Sequence, residues 1–361
     1  MVAWIGSQAV SLPAAVEEAA RLLASSRCPV FSIDSDIHGC RSLIALAERA
    51  GAAYDHVRGR DLADGVSLYT ELGGFFTTAT EARRRSDLIA VVGDIPAVHD
   101  ELLRSLASAV PDLAAGGSRR WFHLALGKGG NRFAHGAKAV SVASGDLPLG
   151  GMLAVLRARI SGKSVSTTLT NMDRFCDALA KAAFPVFIFS RLEDAGSLVM
   201  LQGIIADINK TRRATSLFLP PDDDSWGLVL ASTWMTGLPP RTCFSTGKPV
   251  YDPLLFDVER MMDEKEADMH LWVSEKEIAP PRKRRNLPLV AMARTERPVD
   301  GAAVTFAIGK AGTDRDGVAY TSRTGTLAAV KASAPSDLPG VQAVVARLAE
   351  ALPRREEALP C

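Results

Sequence analysis

The chain has no CxxC or CxxxC pair. Its five cysteines, Cys28, Cys40, Cys176, Cys243 and Cys361, are scattered along 361 residues. A structural zinc site or an iron–sulfur cluster draws several ligands, usually at least two from one tight turn, so neither is expected. An odd, scattered set also argues for reduced thiols and against a disulfide framework. No apolar run reaches the roughly 20 residues of a membrane helix. The opening MVAWIGSQAV lacks the charged and long apolar regions of a signal peptide, so a cytoplasmic protein is expected. An excess of one charge is missing too. Lys plus Arg number 42 against 41 acidic residues, a net charge of +1, which leaves no electrostatic footprint for nucleic acid or an acidic membrane surface. Nor is there a GxSxG, HExxH, Walker or catalytic Cys–His signature.

What is present is a balance of 47% hydrophobic and 23% charged residues, ordinary for a globular chain long enough for two domains or one large α/β unit. An internal repeat organises it. AAVEEAARLLASSRCPVFSIDSDIHGCRSLIALAERAGAAYDH and MDRFCDALAKAAFPVFIFSRLEDAGSLVMLQGIIADINKTRRATSLFL both read helix, Pro-led apolar strand, turn, helix, second strand. Met172, Phe175, Cys176 and Leu179 fall on one helix face. Continuous apolar strands between helices imply parallel sheets covered on both faces. The repeat continues downstream, where RRRSDLIAVVGDIP matches EKEADMHLWVSEKE, each with an Asp (Asp87, Asp268) before an apolar strand. The expectation is that residues 14–110 and 172–280 are two copies of one unit, with Pro29 equivalent to Pro185 and Asp87 to Asp268.

RWFHLALG and KAVSVASG read as strands finishing the first copy. An insertion around LPPRTCFSTGKPVYDP reads as a loop, as does the basic run at 281–286. PLVAMAR and AVTFAIG read as strands, TDRDGVAY as a turn and GVQAVVARLAEAL as a closing helix. The polar stretch ISGKSVSTTLTN sets the expected boundaries: a first α/β half over 1–165, a second over 166–296, and C-terminal strands and helix over 297–361 packing on the core.

Candidate chemistry is thin. GKGGN at 127–131 is rich in glycine but lacks the spacing of a phosphate cradle or a dinucleotide fingerprint, so a plain turn is the preferred reading. IDSDIHG puts Asp34, Asp36 and His38 just past the end of a strand, the edge where open α/β sheets bind ligands. Metal ligation or an acid/base pair is the functional alternative there; a solvated loop with helix-capping carboxylates is the preferred account. His56 and His99 also follow strands and could join His38 on one edge, although every βα loop lies on that edge in this fold class. The acidic run in PDDDSW, 221–226, suits a helix N-terminus, where carboxylates complement the dipole.

GAAYDH followed by GGFFTTATEARRRSDLIAVVGDIPAVHDELLR resembles the B-type subunit of formylmethanofuran dehydrogenase. So does LASTWMTGLPPRTCFSTGKPVYDPLLFDVERMMDEKEADMHLWVSE. KAGTDRDGVAYTSRTGTL is similar to that family's closing Gly-rich, Arg-containing turn. The resemblance covers nearly the whole chain. It implies two related Rossmann-like parallel-sheet halves of the molybdopterin oxidoreductase (formate dehydrogenase-like) type.

In the family a molybdenum or tungsten bis-pterin centre is held by a Cys or selenocysteine followed by His-Gly, and a cysteine-rich segment opens the chain. Here the corresponding stretch, VRGRDLADG from Val57 to Gly65, has neither Cys nor His, and no cysteine-rich segment precedes the first helix. The resemblance is therefore to the cofactor-free form found in aerobic methylotrophic bacteria, a subunit of the formyltransferase/hydrolase complex that moves a formyl group from tetrahydromethanopterin to a methanofuran-type carrier and hydrolyses it to formate.

That implies a non-catalytic scaffold with no cofactor, partnered in a hetero-oligomer by amidohydrolase-like and formyltransferase-like subunits, with no nucleic acid and no membrane. Asp34, His38 and Asp61 would be vestigial positions of the old cofactor edge. Two alternatives stay open. One is an active formylmethanofuran dehydrogenase or formate oxidoreductase subunit with an unusual pterin–metal site. The other is a carrier-binding module reusing the ancestral cleft. Loss of cofactor and of the iron–sulfur segment should leave apolar surface for partners, with Thr242–Pro253, carrying Phe244 and Tyr251, as a candidate contact.

Overall fold

The computed structural model describes residues 3–114, 118–126, 138–144, 146–167, 169–192, 194–276 and 278–353. Fourteen strands build two large sheets: β1 (Ala3–Ile5), β2 (Gln8–Val10), β3 (Pro29–Asp34), β4 (Ala53–His56), β5 (Leu88–Val92), β6 (Arg120–Leu126), β7 (Val140–Ser144), β8 (Pro185–Phe189), β9 (Thr215–Phe218), β10 (Thr242–Cys243), β11 (Val250–Tyr251), β12 (Met269–Ser274), β13 (Leu289–Ala293) and β14 (Val304–Ala307). The larger sheet has the order β11-β10-β4-β3-β12-β13-β14-β1-β2, the smaller β7-β6-β5-β8-β9. β15 (Gly317–Thr321) and β16 (Thr326–Val330) make a separate pair. The smaller sheet is parallel throughout, and the larger is parallel from β4 to β14.

Two compact units result, residues 1–60 with 223–320 and 327–361, and residues 61–222 with 321–326. They do not follow the expected boundaries at 165 and 296. β6 and β7 extend the smaller sheet beside β5, away from β3 and β4, so they do not finish a unit with the first repeat's opening strands. The reason is an exchange. Each sheet takes its Pro-led strand from one repeat and its Asp-led strand from the other, β3 with β12 and β8 with β5.

The exchange is made in one register. Pro29 lies opposite Met269, and Pro185 opposite Leu88. Asp268, one residue before β12, accepts from the backbone N–H groups of Arg27 (2.8 Å) and Cys28 (3.0 Å). Asp87, one residue before β5, accepts from those of Ala183 (2.7 Å) and Phe184 (2.9 Å). These donors are the two residues before each proline. A parallel strand's entry leaves N–H groups without a ladder partner, and one carboxylate satisfies both. The equivalences Pro29–Pro185 and Asp87–Asp268 therefore hold at matching points of two different sheets.

Local signals place the helices. Ser11 caps the helix Leu12–Ser25, which has proline in its first turn. Asp36 caps Ile37–Ala50, which ends on Gly51 at φ 68°. Strands β3, β4, β12, β13 and β14 are buried at every position, as in a sheet covered on both faces. Phe31, Ile33, Tyr54 and Phe306 centre the first unit's core, closed by the helix Val341–Ala351 through Val341, Val344 and Leu348. Ile89, Val91, Val186 and Ile188 centre that of the second. There Arg119 closes two helix C-termini with one guanidinium. It donates to the carbonyls of Ala82 and Arg83 at one end and of Leu106 and Ala109 at the other.

The run LPPRTCFSTGKPVYDP is not a free loop. Part of it pairs as the hairpin β10–β11 on the edge of β4, and Phe244 is buried and stacked on Tyr54. Phe244 therefore faces the core.

Asp87→Ala and Asp268→Ala should each destabilise the protein by about 2 kcal/mol, since each strands two backbone donors. Urea denaturation checks this. A loss below about 0.5 kcal/mol in one but not the other would show that the two locks are not equivalent.

Candidate functional site

In the larger sheet the strand order reverses between β3 and β12, the place where open α/β sheets form a ligand crevice beyond the strand ends. β3 ends at Asp34 and β12 at Ser274, both buried, with Asp34 1% exposed. The Ser274 hydroxyl donates to Asp34 Oδ2 at 2.9 Å, and the Glu275 N–H donates to the Asp34 carbonyl at 3.1 Å. The Ser35 hydroxyl donates to Glu275 Oε1 at 2.6 Å. The two strand ends are thus stitched together where a ligand would enter.

A turn from far downstream covers them. Arg315, with its side chain 12% exposed, forks from Asp36 Oδ1 (3.0 Å) to Glu275 Oε1 (2.7 Å). Backbone donors of the same region complete the two carboxylates: Ala311 N–H reaches Glu275 Oε2 at 2.9 Å and Val318 N–H reaches Asp36 Oδ2 at 3.3 Å. Gly317 permits this approach. A Cβ there would stand 2.7 Å from Asp36 Oδ2 and 2.6 Å from the Ala311 Cβ. Burial pushes the Glu275 carboxyl up while Arg315 pulls it down.

Beside this plug Lys276 bridges Asp34 (3.3 Å) and Asp224 (3.0 Å). Burial opposes ionisation of Asp34, but His56, Lys276 and Ser274 hold its carboxyl down at about 2. On the other side of β3, Arg241 pairs with Asp55 (3.0 Å) and Asp257 (2.9 Å) and pins the edge hairpin. Burial pushes Asp55 up to about 6, against the pull of Arg241.

Asp34 Oδ1 and His56 Nε2 face each other at 3.7 Å, too far for a hydrogen bond of ordinary length. Both have metal-ligand chemistry, yet the Arg58 N–H donates to His56 Nδ1 at 3.1 Å. That bond occupies the Nδ1 lone pair, so the ring proton sits on Nε2, the atom a metal would need free. A further histidine, His270, is held neutral: burial pushes it down to about 3, and its Nε2 meets the Ser32 hydroxyl at 2.8 Å.

Of the positions singled out in the sequence, Asp34 and Asp36 enter this network, whereas His38 is exposed on its helix. Asp61 belongs to the second unit, paired with Arg191 at 2.6 Å. His99 lies in the second unit, between the Pro220 carbonyl (2.6 Å) and the Ser322 hydroxyl (3.2 Å). Asp223 and Asp224 open the helix Asp223–Thr236, as the dipole argument requires. GKGGN lies outside the described residues. Sequence reading missed Glu275, Lys276 and Arg241, although SEK directly follows a strand and so stands at a ligand edge. Arg315 was visible only as the arginine of the family-like closing turn.

The donor set does not fit a molybdenum or tungsten pterin centre. Residues 57–65 offer no thiolate or imidazole, the helix Gly59–Ser67 runs through them, and Asp61 is engaged by Arg191.

Parallel α/β sheets with a bridged switch point define a Rossmann-like protein whose strand ends are joined at the ligand edge by its own side chains. No family model matches the chain. It is 30% identical, over 352 residues covering 94% of this chain and 93% of the relative, to the B-type subunit of the formyltransferase/hydrolase complex Fhc of Methylorubrum extorquens. A chain of the X-ray crystal structure of the FhcABCD complex from that organism, in complex with methylofuran, matches with a TM-score of 0.85 and 30% identity, covering 96% of this chain and 98% of that one. The chain belongs to the family of Fhc B-type subunits.

Arg315→Ala should destabilise the protein by about 3–5 kcal/mol, because it leaves two buried carboxylates uncompensated. Arg315→Lys should recover part of that loss, and urea midpoints read both. A cost under about 1 kcal/mol would mean that the plug is ornamental.

The pH dependence follows from two carboxyls of opposite shift. Asp55, near 6 in the fold against about 3.9 unfolded, takes up its proton first in the native state. Its stability contribution is present below about pH 4 and lost as pH rises through about 6. Asp34, at about 2, contributes stability above about pH 4 that is lost as pH falls through about 2. Stability should therefore gain from Asp55 between pH 7.5 and 5. Urea midpoints at those two pH values should move closer together in Asp55→Asn; an unchanged difference would refute the assignment.

Proposed function

We propose that this chain is the B-type subunit of a cytoplasmic formyltransferase/hydrolase complex, a scaffold that holds partner subunits and performs no chemistry itself. The observation that carries the reading is the bridged switch point. Its crevice is filled by Arg315, Asp36, Glu275 and Ser35, each already satisfied by another protein group. A catalytic edge keeps polar groups open toward a substrate; here Arg315, Asp36, Glu275 and Ser35 are turned onto one another. Similarity to a subunit of a solved four-component complex, along nearly the whole chain, supplies the context. The partners would be formyltransferase-like and amidohydrolase-like chains, and the formyl chemistry would be theirs. No helix among the described residues is long and apolar enough to cross a membrane. The four described cysteines are free thiols, in keeping with a reducing compartment. Asp34, His38 and Asp61 are proposed as remnants of a lost cofactor edge, two of them now tied into ion pairs.

The test is co-expression with the formyltransferase-like and amidohydrolase-like chains of the same organism. A tagged wild-type chain should recover both in fixed ratio, and elemental analysis of the purified complex should find no stoichiometric molybdenum or tungsten on it. Recovery of the chain alone, or one molybdenum or tungsten per chain, would defeat the reading.

A further inference from the structure

Leu254 and Leu255 follow the edge hairpin, and they are 75% and 57% exposed. Two neighbouring leucines this open are unfavourable in water, at roughly 25 cal/mol per Å² of apolar surface. An ordinary exposed turn can relieve that by moving, but this one is held. Asp252 Oδ1 accepts from the N–H groups of both leucines at 2.8 Å. Arg260 donates to both of their carbonyls, through Nε to Leu254 at 2.9 Å and through Nη2 to Leu255 at 2.5 Å. Arg260 is itself fixed by Glu264 (2.5 Å) and Glu266 (2.8 Å). Every backbone polar group of the dileucine is therefore satisfied by one of two charged side chains, and the apolar side chains are presented outward from a rigid base.

We propose that the Leu254–Leu255 turn is a docking knob for an apolar pocket, rimmed by Lys or Arg, on another subunit of the complex. Rigidity is the first argument. A preorganised apolar projection loses little conformational freedom on binding, which is how a few residues come to carry most of an interface. Charge selects the rim. The side chains bonded to the dileucine or to its clamp are Asp252, Glu264 and Glu266 against Arg260, three carboxylates to one cation, so the collar is negative. A basic rim complements it, and an acidic one would be repelled.

The inference rests on the complex reading above, and one experiment separates the two. Wild type and the double variant Leu254→Asp/Leu255→Asp are each co-expressed as full chains with the partner subunits. The double variant should lose at least about ten-fold in recovered partner while keeping its thermal midpoint, because both side chains are exposed. Arg260→Ala, which frees the turn but keeps the leucines, should lose less. Leu254→Gln should show the same direction should the aspartates perturb folding. Val110→Asp, a change at an exposed apolar residue of the other unit, should lose nothing.

A wild-type chain that recruits no partner sinks the complex reading and this one with it. A wild-type chain that recruits partners, alongside a double variant that does so equally, sinks the knob alone. A double variant that keeps its partners but converts a self-associated chain to monomer overturns it in favour of a second copy.

Discussion

The register lock between Asp268 and the entry to β3 is the constraint on which the first unit's switch point depends. β3 and β12 lie some 240 residues apart in sequence, and nothing local aligns them. A buried parallel pair tolerates a shift poorly, because a one-residue slip exchanges the faces of every side chain. The carboxylate removes that freedom at the strand entry by accepting two consecutive N–H groups. Six residues later the same register delivers Ser274 opposite Asp34. The hydrogen bond that stitches the crevice shut is set at the far end of the strands. The second unit uses the same device, with Asp87 and the entry to β8, though its strands come from the opposite repeats.

Much of this was legible because it is periodic or local. The Pro-led apolar strands, the aspartates before β5 and β12 and the caps at Ser11 and Asp36 are short-range signals, and each stands where its chemistry requires. What the sequence did not disclose was which strand pairs with which. Two repeats of one pattern fit equally well as two side-by-side halves or as two units that trade strands, since the Asp lock works with either partner. The boundary drawn at the polar stretch before Met172 followed from the first arrangement, and the fold adopts the second. Long-range pairings such as Asp36–Arg315, across 279 residues, leave no trace in spacing. The buried Phe244 misled for a related reason: Pro, Gly and Ser around an aromatic read as a loop, but the segment gains a sheet edge on which the ring can fold inward.

The bridged crevice raises an energetic question that bears on function. If a ligand edge is no longer used, apolar residues of similar volume would close it at least as well. A buried ion pair seldom outweighs its own desolvation, and replacing one with well-packed apolar side chains is often neutral or stabilising. Retaining Asp36, Glu275 and Arg315 is therefore not explained by stability in general. It follows instead from connectivity. Asp36 must cap the helix Ile37–Ala50, and Glu275 accepts the Ala311 N–H. Each carboxylate already serves a backbone group, so neither can become apolar without stranding that donor. Once two carboxylates are fixed side by side, only a cation between them makes the site tolerable, and arginine's planar fork reaches both at once.

The same logic explains why the plug has to come from the closing turn. Arg315 can fork only if the backbone beside it approaches Asp36 closely, which Gly317 allows and a side chain would prevent. Val318 N–H then takes the oxygen of Asp36 that Arg315 holds least tightly, at 3.4 Å against 3.0 Å for the other. Lid, cap and strand end are thus parts of one hydrogen-bonded unit. A ligand that displaced the turn from this edge would have to break a charged fork and two backbone hydrogen bonds before replacing them with contacts of its own.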